Sequence, residues 1–351
     1  MIPGPSAAAA YFDACMEAVT RAMAQQGPFE RGATAGNMRC RLVFAGPAQI
    51  ASTMRPLVHR FDPANAATDA TFFVGDAAST GIALPAPPWS PGSVTVPGFV
   101  PEYCVGGIRF AYDAIIGAIT GADLERRIGF QWLRQAGPLP SYLYAKPLRA
   151  LFHWFLQHRG LRMTHAAGVG MAGRGALLTG RAGIGKSTTS LACAAAGMSF
   201  LGDDFVALEL GPPVVGYNVF ASANLFPDNL ARFPDLALGG IPDPIDFAHE
   251  HVKPKHTIFV AERRPGAVPE RLPIDVILVP NQGGVGIERI GAVAALRAVA
   301  PSSLILLPGD DRASLRFFAQ LCQSVPCFSI GVGPDLHAIP QLVQQALRSV
   351  A

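Results

Sequence analysis

The sequence GRAGIGKS, residues 180–187, decides how the C-terminal half of this 351-residue chain is expected to fold. It matches the phosphate-binding pattern GxxxxGK[ST] in full. Glycines in this pattern let successive backbone amides turn inward around phosphate oxygens, and the start of the following helix adds unpaired N–H groups. The pattern therefore predicts a nucleotide-binding loop rather than an ordinary glycine-rich turn. The predicted nucleotide-binding residues are Gly180, Arg181, Ala182, Gly183, Ile184, Gly185, Lys186, Ser187 and Thr188.

The residues on either side of the loop agree with this interpretation. ALLT (176–179) is typical of a strand that ends at the loop, and SLACAAAG (190–197) of a helix that Gly197 terminates. In this arrangement Lys186 would reach the β- and γ-phosphates of a nucleotide, and Ser187 would bind Mg²⁺. The chain has no LSGGQ-like segment and no [NT]KxD motif, which argues against a transporter ATPase and a GTPase.

Two adjacent aspartates follow the predicted helix, and Asp204 comes 18 residues after Lys186. One carboxylate can address the metal while the other accepts a proton from a hydroxyl group. Such a general base typically contributes ~10²- to 10⁴-fold to a rate. Gly-Asp is also common in turns. Its position after a phosphate-binding loop favours the alternative, in which one aspartate binds the metal and the other acts as a general base.

The stretch from Thr164 to Leu210, beginning THAAGVGMAGRGALLTGRAGIGKS and ending in GDDFVALEL, resembles the kinase core of the HPr kinase/phosphorylase family and its relatives in peptide-modification clusters. The resemblance covers roughly half of the chain and becomes diffuse towards the C-terminus. It implies a P-loop kinase domain of the HPr kinase/PEP carboxykinase-like type that uses ATP and Mg²⁺. It also implies that the phosphate acceptor is a serine hydroxyl.

The resemblance assigns roles to five residues. It implies that Lys186 binds phosphate and that Ser187 binds Mg²⁺. Asp204 would take the proton from the substrate serine, with Asp203 as its metal-side partner. His165 matches the family's active-site histidine, close to the aspartates, whereas without the resemblance it would be interpreted as a core histidine.

Downstream of the paired aspartates the sequence departs from the family. The RGLGI-like segment that carries a metal-binding Glu in the family is not visible here. Asp228, in NLFPDNLARFP, falls near that position and is the candidate substitute, against the alternative of a solvated loop residue. Recognition of the HPr carrier protein and the reverse, phosphorolytic reaction therefore do not follow from the resemblance.

Lysine is rare in this chain, since 24 of its 28 basic residues are arginine. Each lysine is therefore a candidate for a specific role. Lys255 opens the predicted strand HTIFV and is predicted, like Lys253, to contact phosphate or an acidic substrate peptide. Lys146, directly before Pro147 at a helix start, is expected to lie on the surface.

Composition restricts the partners and the compartment. Half of the residues are apolar, 15% are charged and the net charge is +3, which excludes a disordered chain and gives no electrostatic footprint for nucleic acid. The charge-free stretch 77–101 is too rich in proline to cross a membrane. Six scattered cysteines without a CxxC pair, and no signal-peptide pattern, predict a cytoplasmic protein.

The expected architecture is α/β, with a smaller N-terminal α/β domain at 1–145 as a recognition module and the P-loop domain at 146–351. A helix from Pro147 to Gly160 marks the boundary. In the first domain we expect helices at 14–23 and 48–60 and strands at 41–44, 71–74, 107–112 and 114–120. In the second we expect strands at 168–171, 176–179, 205–210, 257–260, 275–279, 304–307 and 325–330, and helices at 313–322 and 339–350.

The predicted function is an ATP- and Mg²⁺-dependent kinase that transfers the γ-phosphoryl group to a Ser hydroxyl of a protein or peptide. Two alternatives remain: a small-molecule kinase that uses the same loop, and a nucleotide-binding regulator without transfer activity. Neither nucleic acid nor a membrane is an expected partner. Self-association into a homo-oligomer is left open.

Overall fold

The computed structural model describes residues 5–95, 98–243, 254–283, 286–307, 309 and 311–350. Its contacts divide the chain into two compact units. The first contains Met1–Leu139 and Pro147–Arg159, and the second contains Pro140–Lys146 and Gly160–Ala351. The predicted boundary at 145/146 lies next to a crossing between the units, because the chain leaves the second unit after Lys146 and re-enters it at Gly160. That the two units act as separate domains remains a prediction.

The described residues form a mixed α/β fold. In chain order the helices are α1 (Pro5–Gln26), α2 (Ile50–Met54), α3 (Ala77–Thr80), α4 (Ser141–Ala145), α5 (Arg149–His158), α6 (Lys186–Ala195), α7 (Pro227–Leu230), α8 (Pro234–Ala237), α9 (Val260–Arg263), α10 (Ala292–Leu306), α11 (Asp311–Ser324) and α12 (Ala338–Arg348). The strands are β1 (Pro28–Ala35), β2 (Met38–Ala45), β3 (Arg60–Phe61), β4 (Ala70–Asp76), β5 (Ile108–Asp113), β6 (Ala118–Asp123), β7 (Ile128–Leu133), β8 (Arg162–Thr164), β9 (Ala166–Met171), β10 (Arg174–Thr179), β11 (Ser199–Gly202), β12 (Val206–Glu209), β13 (Val215–Tyr217), β14 (Ser222–Leu225), β15 (Ile241–Pro242), β16 (His256–Phe259), β17 (Arg271–Asn281), β18 (Ile287–Ile290) and β19 (Cys327–Gly331).

The first unit is built on a seven-stranded sheet in the order β3-β1-β2-β4-β7-β6-β5. Strand β4 is central and runs parallel to both of its neighbours, β2 and β7. Helix α1 packs its apolar residues into the core of this unit. Aromatic side chains dominate that core, among them Tyr11, Phe12, Trp89, Phe110 and Phe130.

Most of the elements predicted for this unit are present, but the helix predicted at 48–60 is wrong. The helix there, α2, ends at Met54, two residues before Pro56. Proline has no backbone N–H to continue a helix, and it disfavours the helical conformation of the residue before it. The strands predicted at 107–112 and 114–120 correspond to the antiparallel pair of β5 and β6, the second of which begins at Ala118.

In the second unit, a long strand, β17, organises a nine-stranded sheet. The main order is β11-β9-β10-β17-β13-β12-β8, and β19 pairs with β17 and β18. Strand β10, which leads into the glycine loop, runs parallel to β17 and antiparallel to β9. Ala176 and Leu178 of β10 face one core cluster while Leu177 faces another. Burial on both faces explains why the strand is continuously apolar.

A separate three-stranded sheet, in the order β14-β16-β15, completes the second unit. The strand predicted at 304–307 is wrong, because residues 304–306 form the last turn of α10. A short apolar run cannot be distinguished from a buried helix segment by periodicity alone. The other predicted strands and helices of this half coincide with β9, β10, β12, β16, β17, β19, α11 and α12.

Across the residues that the structure describes, no helix combines the length and the apolar character needed to cross a lipid bilayer.

Candidate active site

The glycine loop connects β10 to α6, as the sequence pattern predicts. Gly180, Gly183 and Gly185 have φ values of 146°, 77° and 113°. Residues with a side chain rarely adopt this left-handed region, so the fold requires glycine at these places. Lys186 is the first residue of α6 and directly follows Gly185.

The ammonium group of Lys186 is held against the loop itself. Its Nζ donates hydrogen bonds to the carbonyl oxygens of Gly180, at 2.8 Å, and Arg181, at 3.2 Å. The side chain is only 5% exposed. Burial lowers the pKa of Lys186, and the negative charges of Asp204 and Asp203 oppose that effect. A partly desolvated cation therefore stands at the start of α6.

Strand pairing brings His165 opposite the two aspartates. Strand β8 pairs with β12 and β9 pairs with β11, so the connection between β8 and β9 lies beside the connection between β11 and β12. His165 is in the first connection, and Asp203 and Asp204 are in the second. The amide of Ala166 donates a hydrogen bond of 3.1 Å to the carbonyl oxygen of Asp204.

Asp204 is held by two basic side chains. Lys146 contacts one carboxylate oxygen, Oδ2, and Nε2 of His165 lies 3.5 Å from the other, Oδ1. Burial acts to raise the pKa of Asp204. The ammonium of Lys146, followed by the contact with His165, outweighs burial and holds this pKa well below its usual range. The carboxylate is therefore ionised at neutral pH.

Asp203 is in the opposite situation. Its side chain is fully buried, and neither oxygen has a hydrogen-bond partner of normal geometry among the described residues. Burial, and then the negative charge of Asp204, raise the pKa of Asp203 to about 6. Lys146, the nearby Ser187 hydroxyl and Lys186 act in the other direction. A buried carboxylate without partners is costly, and a cation would satisfy it.

The loop and Asp204 open onto one cavity of about 160 Å³. The lining residues are His165, Ala182, Gly183, Gly185, Lys186, Ser187, Thr188, Asp204, Asn224, Leu225, Phe226, Asn229 and Lys255. The ammonium of Lys255 lies 5.0 Å from the centre of the Phe226 ring, within the range of a cation–π contact. The cavity thus combines the backbone of the glycine loop, a carboxylate and two lysines.

Three of the four lysines of the chain belong to this site. Lys186 and Lys255 line the cavity, and Lys146 is paired with Asp204 behind it. The expectation that Lys146 lies on the surface is wrong, since the residue is only 3% exposed. Lys253 lies outside the described residues.

Asp228, the candidate substitute for the family's metal-binding Glu, is exposed on α7 and does not line the cavity. Its neighbour Asn229 does, because successive residues of a helix face different directions. Asn224 and Phe226 were not predicted from the sequence. No spacing pattern marks them, because strand β14 and the turn after it place them at the cavity.

The residues present fit a magnesium ion better than a metal held entirely by protein. No cluster of three or more His, Cys, Asp or Glu side chains occurs within the described part of the chain. Mg²⁺ is usually bound by one or two carboxylates together with substrate phosphates and water. Asp203, whose oxygens have no hydrogen-bond partner of normal geometry among the described residues, and the nearby Ser187 hydroxyl would hold it.

The fold and the cavity define a mixed α/β protein in which a glycine loop joins β10 to α6. No family model matches the sequence. No curated protein matches it. Among solved structures, the chain is similar to the Hpr(Ser) kinase/phosphatase from Coxiella burnetii, with 15% sequence identity and a TM-score of 0.28, over 54% of this chain and 95% of that chain. A likeness with so low a TM-score carries no argument, so the case for a function rests on the cavity.

Proposed function

We propose that this chain is an ATP- and Mg²⁺-dependent kinase that transfers the γ-phosphoryl group of ATP to a serine hydroxyl of a protein or peptide. One observation carries the proposal: a single cavity brings together the glycine loop, Lys186 and a charged Asp204. Phosphoryl transfer depends mainly on the position of the reacting groups and on stabilisation of charge. This cavity contains candidate residues both for positioning the reacting groups and for stabilising charge.

On the nucleotide side, the loop amides and Lys186 would hold the phosphates of ATP. Lys186 now donates to two loop carbonyls, and a phosphate oxygen is a stronger acceptor for the same ammonium group. Asp203 and Ser187 would hold Mg²⁺ beside them. When bound, Mg²⁺ neutralises charge on the phosphates.

On the acceptor side, Asp204 would bind the hydroxyl that receives the phosphoryl group. Its carboxylate is paired with Lys146 and lies near His165, and it borders the cavity. An ionised carboxylate accepts a hydrogen bond from the hydroxyl, orients its oxygen and takes its proton as transfer proceeds. Lys186 and the loop amides face the same space and would stabilise the negative charge.

The choice of a serine in a protein or peptide comes from the sequence resemblance. The experiment is to incubate purified protein with [γ-³²P]ATP, Mg²⁺ and an extract of the source cells, separated into macromolecules and metabolites. We expect label on serine in the protein and peptide fraction. Label in a metabolite instead would support the small-molecule alternative, and ATP binding without transfer would support the regulator.

Asp204→Asn tests the assignment of the base. We expect it to lose transfer while it binds ATP with nearly unchanged affinity. Asp275→Asn is the matched control, because Asp275 is also an aspartate paired with a basic residue of this unit, Arg174. That pair lies at the opposite end of β10 from the loop, so the control should transfer normally. Transfer by Asp204→Asn at the wild-type rate would show that Asp204 is not the base.

A further inference from the structure

Lys146 is the most enclosed cation at the site, yet it does not line the cavity. It follows α4 directly and is 3% exposed. Its ammonium contacts Oδ2 of Asp204, while His165 faces Oδ1. Because a different side chain faces each carboxylate oxygen, the orientation of the carboxylate is constrained.

The segment that carries Lys146 is also anchored within the second unit by hydrogen bonds. The Ser222 hydroxyl donates to the carbonyl oxygen of Ala145, and the Thr257 hydroxyl lies 3.2 Å from the carbonyl oxygen of Ser141. The Ser141 hydroxyl donates to Asp243 at 2.9 Å. Ser222 and Thr257 are fully buried, on strands β14 and β16. These bonds hold the end of α4 in place, and with it the base of the Lys146 side chain.

The backbone conformation of Asp204 also indicates that its position is constrained by its neighbours. Its φ is 69°, in the left-handed region that residues with a side chain rarely adopt. Such a conformation persists only where the surrounding structure determines it, and it is concentrated at functional sites. The hydrogen bond from Ala166, the ion pair with Lys146 and the contact with His165 together determine it.

We propose that Lys146 is a positioning residue for phosphoryl transfer, which aims the Asp204 carboxylate at the acceptor hydroxyl without touching nucleotide or acceptor. This inference rests on the proposed function and deepens it. Since Lys146 contacts Asp204 and does not line the cavity, its loss should reduce the rate of transfer far more than it reduces nucleotide affinity. A purely structural ion pair would instead change the stability of the protein and leave the rate per bound nucleotide unchanged.

The test uses water as the acceptor, so it does not depend on knowing the natural substrate. Binding of Mg²⁺·ATP is measured by calorimetry, and hydrolysis of [γ-³²P]ATP is measured in single turnover. For Lys146→Met we expect ATP affinity close to that of the wild type and a hydrolysis rate lower by on the order of tenfold to a hundredfold, as for a misplaced reacting group. Added ethylammonium should restore part of the rate to Lys146→Ala, because it supplies the missing cation in the space left by the side chain.

Arg174→Met is the matched control. It also breaks an ion pair of the second unit, that with Asp275, at the far end of β10. We expect it to lower the melting temperature and to hydrolyse ATP at the wild-type rate. A loss of rate in this control equal to that in Lys146→Met would overturn the proposal, because any broken ion pair would then have the same effect.

Lys146→Met removes the lysine partner of a mostly buried carboxylate, which threatens folding. The double variant Lys146→Met/Asp204→Asn removes both charges, so the role of Lys146 can be measured even if the single variant does not fold. Because Lys146 acts through Asp204, the double variant should hydrolyse ATP at the rate of Asp204→Asn alone. Two independent losses that multiply would overturn the proposal.

The outcomes for this inference and for the proposed function are distinct. If the wild type binds and hydrolyses ATP and Lys146→Met does so at the same rate, the role of Lys146 is wrong and the kinase proposal stands. If the wild type does not bind ATP at all, both proposals are wrong.

Discussion

Asp203 and Asp204 are adjacent in the sequence, but their carboxylates are in opposite electrostatic environments. Asp203 is fully buried without a hydrogen-bond partner of normal geometry in the described part of the chain, and its pKa is raised to about 6. Asp204 is paired with Lys146, and its pKa is held well below the usual range. When the pKa values of two neighbouring carboxylates are shifted in opposite directions in this way, the two groups can take different roles.

Asp203→Asn should stabilise the ligand-free protein at neutral pH. The folded-state pKa of about 6 lies above the unfolded-state value of about 4, so folding favours the protonated form. The contribution of Asp203 to the free energy of unfolding therefore falls as the pH rises from 4 to 6 and is lowest above 6. At pH 7–8 we expect the variant to be more stable by about 3 kcal/mol, with most of the gain lost near pH 4. Urea unfolding of both proteins across this range measures it.

Asp275→Asn is the control for this prediction. Asp275 accepts hydrogen bonds from Arg174 and from the amide of Gly175, so its loss should destabilise the protein. A stability difference between Asp203→Asn and the wild type that does not change with pH would contradict the raised pKa.

The same substitution should weaken the binding of the metal. Asp203 and Ser187 are the residues expected to hold Mg²⁺, and the described residues contain no cluster of three or more His, Cys, Asp or Glu side chains. For Asp203→Asn we expect the affinity for Mn²⁺ in the presence of ADP to fall by roughly tenfold or more, since a charged ligand contributes strongly to a site with few protein ligands. Electron paramagnetic resonance of Mn²⁺ measures this affinity directly.

Ser187→Ala should show a smaller loss in the same measurement, because a neutral hydroxyl contributes less than a carboxylate. ADP binding in EDTA should be similar for both variants and the wild type. An unchanged Mn²⁺ affinity in Asp203→Asn would exclude Asp203 as a metal ligand.

Two glycines offer a matched test of the loop. Gly183 in the loop and Gly173 in the turn between β9 and β10 have φ values of 77° and 78°, and a Cβ added at either would meet no atom within 4 Å. Alanine at each position should therefore cost a similar ~1 to 2 kcal/mol of stability through backbone strain. Only Gly183→Ala should weaken ATP binding, by several-fold or more. Calorimetric titration and urea unfolding of the two variants make the comparison.

A loss of ATP affinity in Gly173→Ala equal to that in Gly183→Ala would attribute the effect to general destabilisation. Unchanged affinity in both variants would show that the conformation of the loop at Gly183 does not matter for binding.

The parts of the site that depend on neighbouring residues in the chain could be predicted from the sequence. Glycine spacing identified the loop, and the apolar run before it identified β10. Lys146 was missed because its partner, Asp204, is 58 residues away in the chain. Only tertiary structure decides whether a lysine is solvated or buried against a carboxylate. The rarity of lysine was the one signal for it, and the adjacent proline outweighed that signal.

His165 illustrates an intermediate case. Its residue type alone indicated a core histidine, and the resemblance to a kinase family was needed to place it near the aspartates. In the structure its position follows from the pairing of β8 with β12 and of β9 with β11. Strand pairing of this kind joins segments about 40 residues apart and leaves no periodic trace in the sequence.

Lys255 should contribute to ATP affinity through phosphate charge. Its ammonium lies over the Phe226 ring at the cavity, and its positive charge reaches both Lys186 and Asp204 strongly enough to lower the pKa of each. An attraction of this kind grows with the charge of the ligand. We therefore expect Lys255→Met to weaken ATP binding by about threefold to fivefold, the size expected for a partly exposed ion pair. AMP binding should change less, Lys255→Arg should retain ATP affinity, and higher salt should reduce the difference between the variants. An equal loss for ATP and AMP would instead place Lys255 against the nucleoside.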